Sequence, residues 1–351
     1  MKKAVKTISA VIVIIPVLFV ITAFISEYTP EDIEPAEIIV SGNVGKNVEN
    51  LTLLTWNIGY GGLGKDADFF MDGGVSSRPE SKDIVEGNIK GVVSILKEVE
   101  PDIMLLQEVD INSSRTFKMD QTQVLKDFFP DFELVYAPNF SVFFVPSPVL
   151  SPIGKVESGL LTVSKIKSSG NQERISLPVD TSLPLRLFNL KRCMLVSRYK
   201  VFNSHNELVV INLHLSAYEN EELKTAQLDH VRKYIIGEHS KGNLVIVGGD
   251  WNHILPGIEK DSFGKYSTSE EFIKWAAPMP ENWTPAGWHW VFNKEIPTVR
   301  NNEAPYEPGH NFVTVIDGFL VSPGVEIESV QTVQTGFEFS DHQPVILSVK
   351  L

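Results

Sequence analysis

LVIVGGDWN, residues 244–252, is the stretch on which the fold turns. Leu244, Val245, Ile246 and Val247 form a short, largely β-branched apolar run, the pattern of a strand buried on both faces. Gly248 and Gly249 follow, and then Asp250, Trp251 and Asn252. A buried strand ending this way delivers a carboxylate and an amide to the rim of a sheet. The same pattern recurs in both directions along the chain. Leu53–Trp56 ends in Asn57, and Ile103–Leu106 ends in Gln107 and Glu108. Val209–Ile211 leads to Asn212, Leu213 and His214, and Val313–Ile316 is followed by Asp317. Ser340, Asp341 and His342 stand just before the last apolar run, Val345–Val349. A single ending of this kind is commonly a turn or a helix cap. Six in one chain call for a shared purpose.

Between these runs lie helical stripes. Asp83–Val99 places Ile84, Ile89, Val92, Val93, Leu96 and Val99 on one face and stops before Pro101. Glu221–Glu238 repeats the spacing through Leu223, Leu228, Val231 and Ile235. This alternation predicts a layered α/β domain. The lack of an internal repeat or second linker over residues 51–351 predicts one domain rather than two. Residues 265–312 break the pattern with prolines, the polar stretch Arg300–Asn302, and Trp275, Trp283, Trp288 and Trp290. Such rings either line a ligand site or anchor a long loop to the core, and the sequence leaves both readings open.

The 31 basic and 44 acidic side chains give a formal charge of −13. That balance lacks the basic footprint by which proteins capture nucleic acid broadly, although a local metal site can admit a phosphate against the global field. Cys193 is the only cysteine, so no intramolecular disulfide or multi-cysteine zinc site can form.

At the amino end, Lys2, Lys3 and Lys6 precede an uncharged apolar run from Ile8 to Ile25, and Glu27, Glu31, Asp32 and Glu34 follow it. The 18-residue length and the charge asymmetry predict an uncleaved membrane anchor over residues 1–26, with the rest exported. A cleaved signal sequence is the rival reading, and Ala23, Phe24, Ile25 and Ser26 offer no clean cleavage pattern for it. Residues 27–50, with Pro30, Pro35, Gly42 and Gly45, read as a linker to the domain at 51–351.

Carboxylates and amides without thiolates are hard oxygen ligands, suited to Mg²⁺ or Mn²⁺. Two histidines beside acids supply proton transfer near neutral pH, and asparagine amides can donate to phosphate oxygens. This set of groups serves hydrolysis of a phosphate ester. The ordered set around Asn57, Glu108, His214, Asp250 and Asn252, Asp317, and Asp341 with His342 resembles the endonuclease/exonuclease/phosphatase superfamily. That superfamily includes pancreatic-type deoxyribonucleases, abasic-site endonucleases, bacterial sphingomyelinases and inositol polyphosphate 5-phosphatases. The resemblance spans residues 51–351 and implies a four-layer α/β sandwich, with two packed, mostly antiparallel sheets flanked by helices.

Carried over residue by residue, the resemblance implies metal ligation by Glu108, with Asn57 and Asp341 close by. Asp250 would orient or deprotonate the attacking water. Asn252 would hold a phosphate oxygen, as would Asn57. His342 would contact the phosphate with Asp317 fixing its tautomer. His214 would also contact the phosphate and is a candidate acid for the leaving oxygen. Taken singly, Asn57 and Asp250 could be turn residues, His214 a core histidine and Asp317 the start of a turn. Ser113, Ser114 and Arg115, shortly after Glu108, either reach the phosphate as well or form a solvated loop, and the loop is the preferred reading. The implied partners are a phosphate ester and, through residues 1–26, a membrane; a monomer is expected. The substrate is an open choice among nucleic acid for an exported nuclease, a phospholipid for a sphingomyelinase-type phosphodiesterase, and a small phosphorylated molecule. A surface binding protein that kept the fold and lost the chemistry is the rival of another class. Against it, all eight positions keep the expected residue type.

Overall fold

A computed structural model describes residue 14, residues 16–42 and residues 48–351. Two seven-stranded sheets pack face to face. In spatial order the first runs β17 (Glu326–Thr332), β18 (Val345–Lys350), β3 (Asn50–Asn57), β4 (Ile103–Asp110), β6 (Gly154–Ser164), β5 (Glu133–Val145) and β2 (Glu37–Val40). The second runs β1 (Ile33–Pro35), β7 (Glu173–Ser176), β8 (Cys193–Lys200), β9 (Glu207–His214), β10 (Leu244–Asp250), β16 (Asp317–Val321) and β13 (His289–Val291). Two small pairings hold the long loops: β11 (His253–Ile254) with β12 (Ala277–Pro278), and β14 (Val299–Arg300) with β15 (Val313–Thr314). Helices Lys82–Val99 and Gln121–Phe128 cover the outer face of the first sheet, and helix Glu221–Ser240 covers that of the second. The fold is the four-layer α/β sandwich.

Within the two large sheets, β3–β4 and β9–β10 are the parallel pairs and the other pairings are antiparallel. Each parallel pair is joined by a helix, as a parallel crossover requires. Ser81 caps the first of these helices by accepting from the Ile84 amide, and Asn220 caps the second through Leu223. Both helices therefore start at the cap, and the second runs on to Ser240, slightly beyond its apolar stripe. The sheets meet through Leu53, Leu105, Val210, Ile246 and Phe319, all fully buried. Each such side chain contributes roughly 1.5–3 kcal/mol of transfer free energy. Gln107 and Asn212 bridge the sheets through a 2.8 Å hydrogen bond from Gln107 Nε2 to Asn212 Oδ1. Asn212 Nδ2 also donates to the Leu106 and Leu161 carbonyls. These two strand-end amides therefore serve the fold.

One expectation changes. The segment expected to be a linker supplies an edge strand to each sheet: β1 pairs with β7 and β2 with β5. The exposed edges of β7 and β5 offer unpaired backbone groups that extended chain can satisfy. Glu27 adds ion pairs at 3.0 Å to Arg186 and 3.3 Å to Lys191. Residues 43–47 of that segment are not described. Much of the expected anchor, residues 1–13 and 15, also lies outside the described residues. Residues 16–25 are helical, and among the described residues no helix is long and apolar enough to cross a membrane. The tryptophan-rich segment resolves toward anchoring. Trp283 and Trp290 pack edge-on against Trp251, Trp288 is buried, and of the four rings only Trp275 reaches the cavity described below.

Candidate active site

The register of the parallel pairs brings the polar strand ends together. Asn57 lies beside Gln107, and His214 lies beside Asp250, which in turn faces Asp317 across β16. β18 runs antiparallel to β3, so residues 340–342 reach the end of β3; Ser340 Oγ donates to the Asn57 carbonyl at 2.8 Å. β4 bulges between Leu106 and Val109. There Glu108 takes a left-handed φ of 56° and lines the cavity instead of continuing the ladder. Gly59, at φ 49°, has a similar constraint, since a Cβ there would sit 2.9 Å from Asp341 Oδ1.

Asn57 is the hub. Its Oδ1 accepts from the Gly59 amide at 3.0 Å, which orients the side chain. Its Nδ2 then lies 3.2 Å from Glu108 Oε1, 3.0 Å from Asp250 Oδ2 and 3.5 Å from His342 Nε2. His342 Nδ1 donates to Asp317 Oδ2 at 2.9 Å and turns Nε2 toward Asp250 Oδ2, 3.8 Å away. His214 Nε2 lies 3.3 Å from the same Asp250 oxygen. Asn252 donates its backbone N–H to Asp250 Oδ1 at 2.9 Å and one amide hydrogen to the Leu215 carbonyl, which leaves the other hydrogen for a ligand. Asp341 accepts from Asn302 Nδ2 at 2.8 Å and from Ser340 Oγ at 3.2 Å. Seven of the eight expected residues line one cavity of about 550 Å³; Asp317 stands behind His342.

Burial and crowding set the charges. Burial pushes the Asp250 carboxyl up to about 7; the His342 charge opposes this and Asp317 adds to it. Burial works against charge on His342, yet the Asp317 and Asp250 carboxylates outweigh it and raise the imidazole to about 10. His214 is pushed the other way, well below the ordinary imidazole range, by burial and then by the Arg192 and His342 charges. Near neutral pH the site thus holds a cationic His342, a neutral His214 and an Asp250 poised between its two forms. Burial also raises Glu108, against the pull of Arg115.

Among the described residues, one trio of His, Asp or Glu offers ligand atoms all within 4.8 Å of one another: Asp250, Asp317 and His342. Within it, the hydrogen bond between His342 Nδ1 and Asp317 Oδ2 already occupies one ligand atom of each. Glu108 and Asp341 lie outside that trio but face the same cavity, and no cation stands within 4.0 Å of either carboxylate among the described residues. Two acids facing one cavity without a cationic partner, with an amide beside one of them, form a donor set fit for a divalent metal.

Several cavity residues escaped the sequence reading. Arg192 is 7% exposed and its Nε has no partner among the described residues. Asn139 Nδ2 and Tyr60 Oη are likewise buried and unpartnered. Asp72 accepts from Tyr218 Oη at 2.6 Å and from Asn302 Nδ2 at 3.1 Å, and so connects to Asp341 through Asn302. Arg192 had a signal, a cation abutting the start of an apolar strand. β8 runs antiparallel to β9, so its start lies at the end where β9 delivers His214. In the Ser113–Arg115 loop, Ser113 and Arg115 are buried rather than solvated, and Ser114 is half-buried. Arg115 grips Asp110 at 2.9 and 3.0 Å and covers the Tyr60 ring at 3.7 Å.

A family model described as the Endonuclease/Exonuclease/phosphatase family matches residues 54–342. No curated protein matches the chain. Among solved structures, the fold is similar to an endonuclease/exonuclease/phosphatase from Beutenbergia cavernae DSM 12333 (15% identity, TM-score 0.56, covering 87% of this chain and 72% of that one). It is similar also to one from Bacteroides vulgatus (15%, 0.51, 87% and 100%). D. rerio TDP2 complexed with single strand DNA product is a third (17%, 0.51, 86% and 99%). Identities this low bear on the fold alone.

Proposed function

The chain belongs to the endonuclease/exonuclease/phosphatase family, whose members hydrolyse phosphoester bonds, and on that premise we propose that this cavity hydrolyses a phosphate ester by cation-assisted attack of water. The observation that carries the reading is the Asn57 amide nitrogen, within 3.5 Å of Glu108, Asp250 and His342 at once. Groups from four separate strand ends meet there on the wall of one cavity.

The protonation states divide the labour. Asp250, pushed up to about 7, is matched to take a proton from water at neutral pH. His342 is held cationic by Asp317, so it acts as a charged donor to a phosphate oxygen and a proton source for the departing oxygen. His214, held neutral, donates from Nε2 to Asp250 and orients it; that favours positioning over the acid role the resemblance implied. Asn252 and Arg192 supply further donors to non-bridging oxygens as charge grows there. Glu108, Asp341 and the free lone pair of Asn57 Oδ1 would hold Mg²⁺ or Mn²⁺, which would supply neutralising charge beside the phosphate. We also infer export of the domain, from Lys2, Lys3 and Lys6 ahead of the apolar run; protease accessibility in intact cells tests this.

The test of the chemistry is a substrate panel with the full chain: bis-p-nitrophenyl phosphate, DNA, RNA, inositol phosphates and sphingomyelin, each with Mg²⁺, Mn²⁺ or EDTA. Cation-dependent release of an alcohol or phosphate from at least one is expected. No turnover of any of them, with the chain folded, would refute the reading.

A further inference from the structure

The cavity lining is chemically mixed. Asn57, Asp250, His342, Arg192 and Asn139 bring polar groups to it, and Phe69, Phe70, Phe140, Val145, Ile153 and Phe188 bring apolar ones. A free sugar phosphate or nucleotide would leave those apolar side chains against water. A molecule with a phosphate at one end and hydrocarbon at the other would satisfy both kinds of lining.

The apolar character continues out of the mouth. Val145–Ser147 and Ile153 line the cavity, and the loop tip between them carries Val149, 88% exposed, and Leu150, 99% exposed. Leu185 also lines the cavity and is exposed, and Leu183 is exposed too; Met71 does the same as Leu185 on a third loop, which also carries exposed Val75. The helical residues 16–25 then extend this surface. Phe19 packs on Phe143 at 5.3 Å, on Phe144 at 6.1 Å and on Phe188, from the cavity wall, at 5.9 Å. Around Phe19, the side chains of Val17, Leu18, Val20, Ile21, Phe24 and Ile25 remain exposed. In the sequence they belong to the uncharged run from Ile8 to Ile25. Three loops that line the cavity, and a helix packed on its Phe188, thus expose many large apolar side chains together, the kind of surface that marks an interaction site.

Building on the phosphoesterase reading, we propose that the substrate is a phospholipid taken from a bilayer surface, with the mouth and residues 16–25 dipping into that surface. The phosphate meets the polar groups of the lining and hydrocarbon lies along the apolar ones. Water adds to phosphorus, one P–O ester bond breaks and the departing oxygen takes up a proton, so a diester gives a monoester and an alcohol. A chain of net charge −13 gains little from anionic headgroups, so binding rests on apolar insertion and favours zwitterionic lipid.

The experiment uses the full chain with Mg²⁺ and dihexanoyl phosphatidylcholine below and above its micelle concentration, phosphatidylcholine and sphingomyelin in mixed micelles, and bis-p-nitrophenyl phosphate as a lipid-free control. The lipid rate should jump at least ten-fold when aggregates form and change less than two-fold between low and high salt. Val149→Glu with Leu150→Glu, at freely exposed positions, should cut the lipid rate at least ten-fold and leave the control rate unchanged. Turnover of the control with no turnover of lipid would overturn the lipid proposal and spare the phosphoesterase reading. So would a lipid rate indifferent to the two substitutions, the result expected if the patch seats a protein partner. Failure on the control and all lipids would overturn the lipid proposal, and the phosphoesterase reading would then stand or fall on DNA, RNA and inositol phosphates.

Discussion

Two clusters of charge lie at opposite ends of β8, β9 and β10 in the second sheet, the site end being shared with the first sheet, and they are built on opposite rules. At one end Arg198, on β8, lies 2.9 and 3.1 Å from the Glu238 carboxylate, 3.6 Å from Glu207 and 3.8 Å from Glu173. Glu238 also holds Lys241 at 2.7 Å and Asn243 at 2.8 Å. At the other end Asp250, Glu108 and Asp341 share a cavity, and Arg192, six residues before Arg198, has no carboxylate at hydrogen-bond distance among the described residues. The acid shifts record the contrast. Burial works against the Glu238 charge, but Arg198, Lys241 and Asn243 outweigh it and hold the carboxyl down near 2, whereas burial drives Asp250 up to about 7. Charges kept for the fold are matched within the chain. Charges kept for a ligand are left for the ligand to match.

The largest effects should come from the unmatched end. Asp250→Asn or His342→Ala should lower kcat about 10²–10⁴-fold, as loss of a positioned proton carrier does. Asp250→Asn should at the same time leave the metal-free chain about as stable as the parent, because burial works against the Asp250 charge more strongly than His342 favours it. A marked fall in the denaturation midpoint of that variant would break the comparison. Next comes Arg192→Met, expected to lower kcat/KM about 10²-fold, the scale for a single donor to developing negative charge, with little change in stability. Steady-state kinetics beside a thermal melt decides it. An Arg192 variant with normal kinetics and a lowered melt would move this residue to the structural class.

Much of this arrangement was legible in the sequence. Apolar runs ending in polar residues located the strands and their rim, and helical spacing located the crossovers that make β3–β4 and β9–β10 parallel. What stayed hidden depended on pairing. Gln107 and Asn212 look like site residues by position, yet they face each other between the sheets, which only the packing of β4 on β9 decides. Arg192 sits at the start of its strand, and only the antiparallel pairing of β8 with β9 turns that start toward the site. Residues 33–40 carry the proline and acids of a linker, and become strands because two sheet edges stand open beside them. Asp72 and Asn302 are 230 residues apart and carry no motif; their hydrogen bond comes from tertiary packing alone.

Smaller effects belong to the matched end. Arg198→Met should lower stability by about 1–2 kcal/mol while leaving kcat within two-fold, since Lys241 and Asn243 still hold Glu238. A urea midpoint with an activity assay measures both, and a ten-fold loss of activity would show that the two ends are coupled.

The finest distinction is in pH. With its carboxyl held near 2, Glu238 contributes stability that is present above the unfolded value of about 4.3 and is lost as pH falls toward 2. Asp72, beside the active site, has the opposite sign. Burial pushes its carboxyl up to about 6, against the hydrogen bonds from Tyr218 and Asn302, so the folded chain keeps a proton there that the unfolded chain has released. Its contribution is therefore full below the unfolded value of about 3.9 and is lost as pH rises through 6. Urea midpoints in EDTA from pH 2 to pH 8 should show Glu238→Gln flattening the profile below about 4.3 and Asp72→Asn flattening it between about 4 and 6. If Asp72→Asn instead steepens the fall between those values, the Asp72–Asn302–Asp341 chain belongs with the matched charges, and the division between the two ends has been drawn in the wrong place.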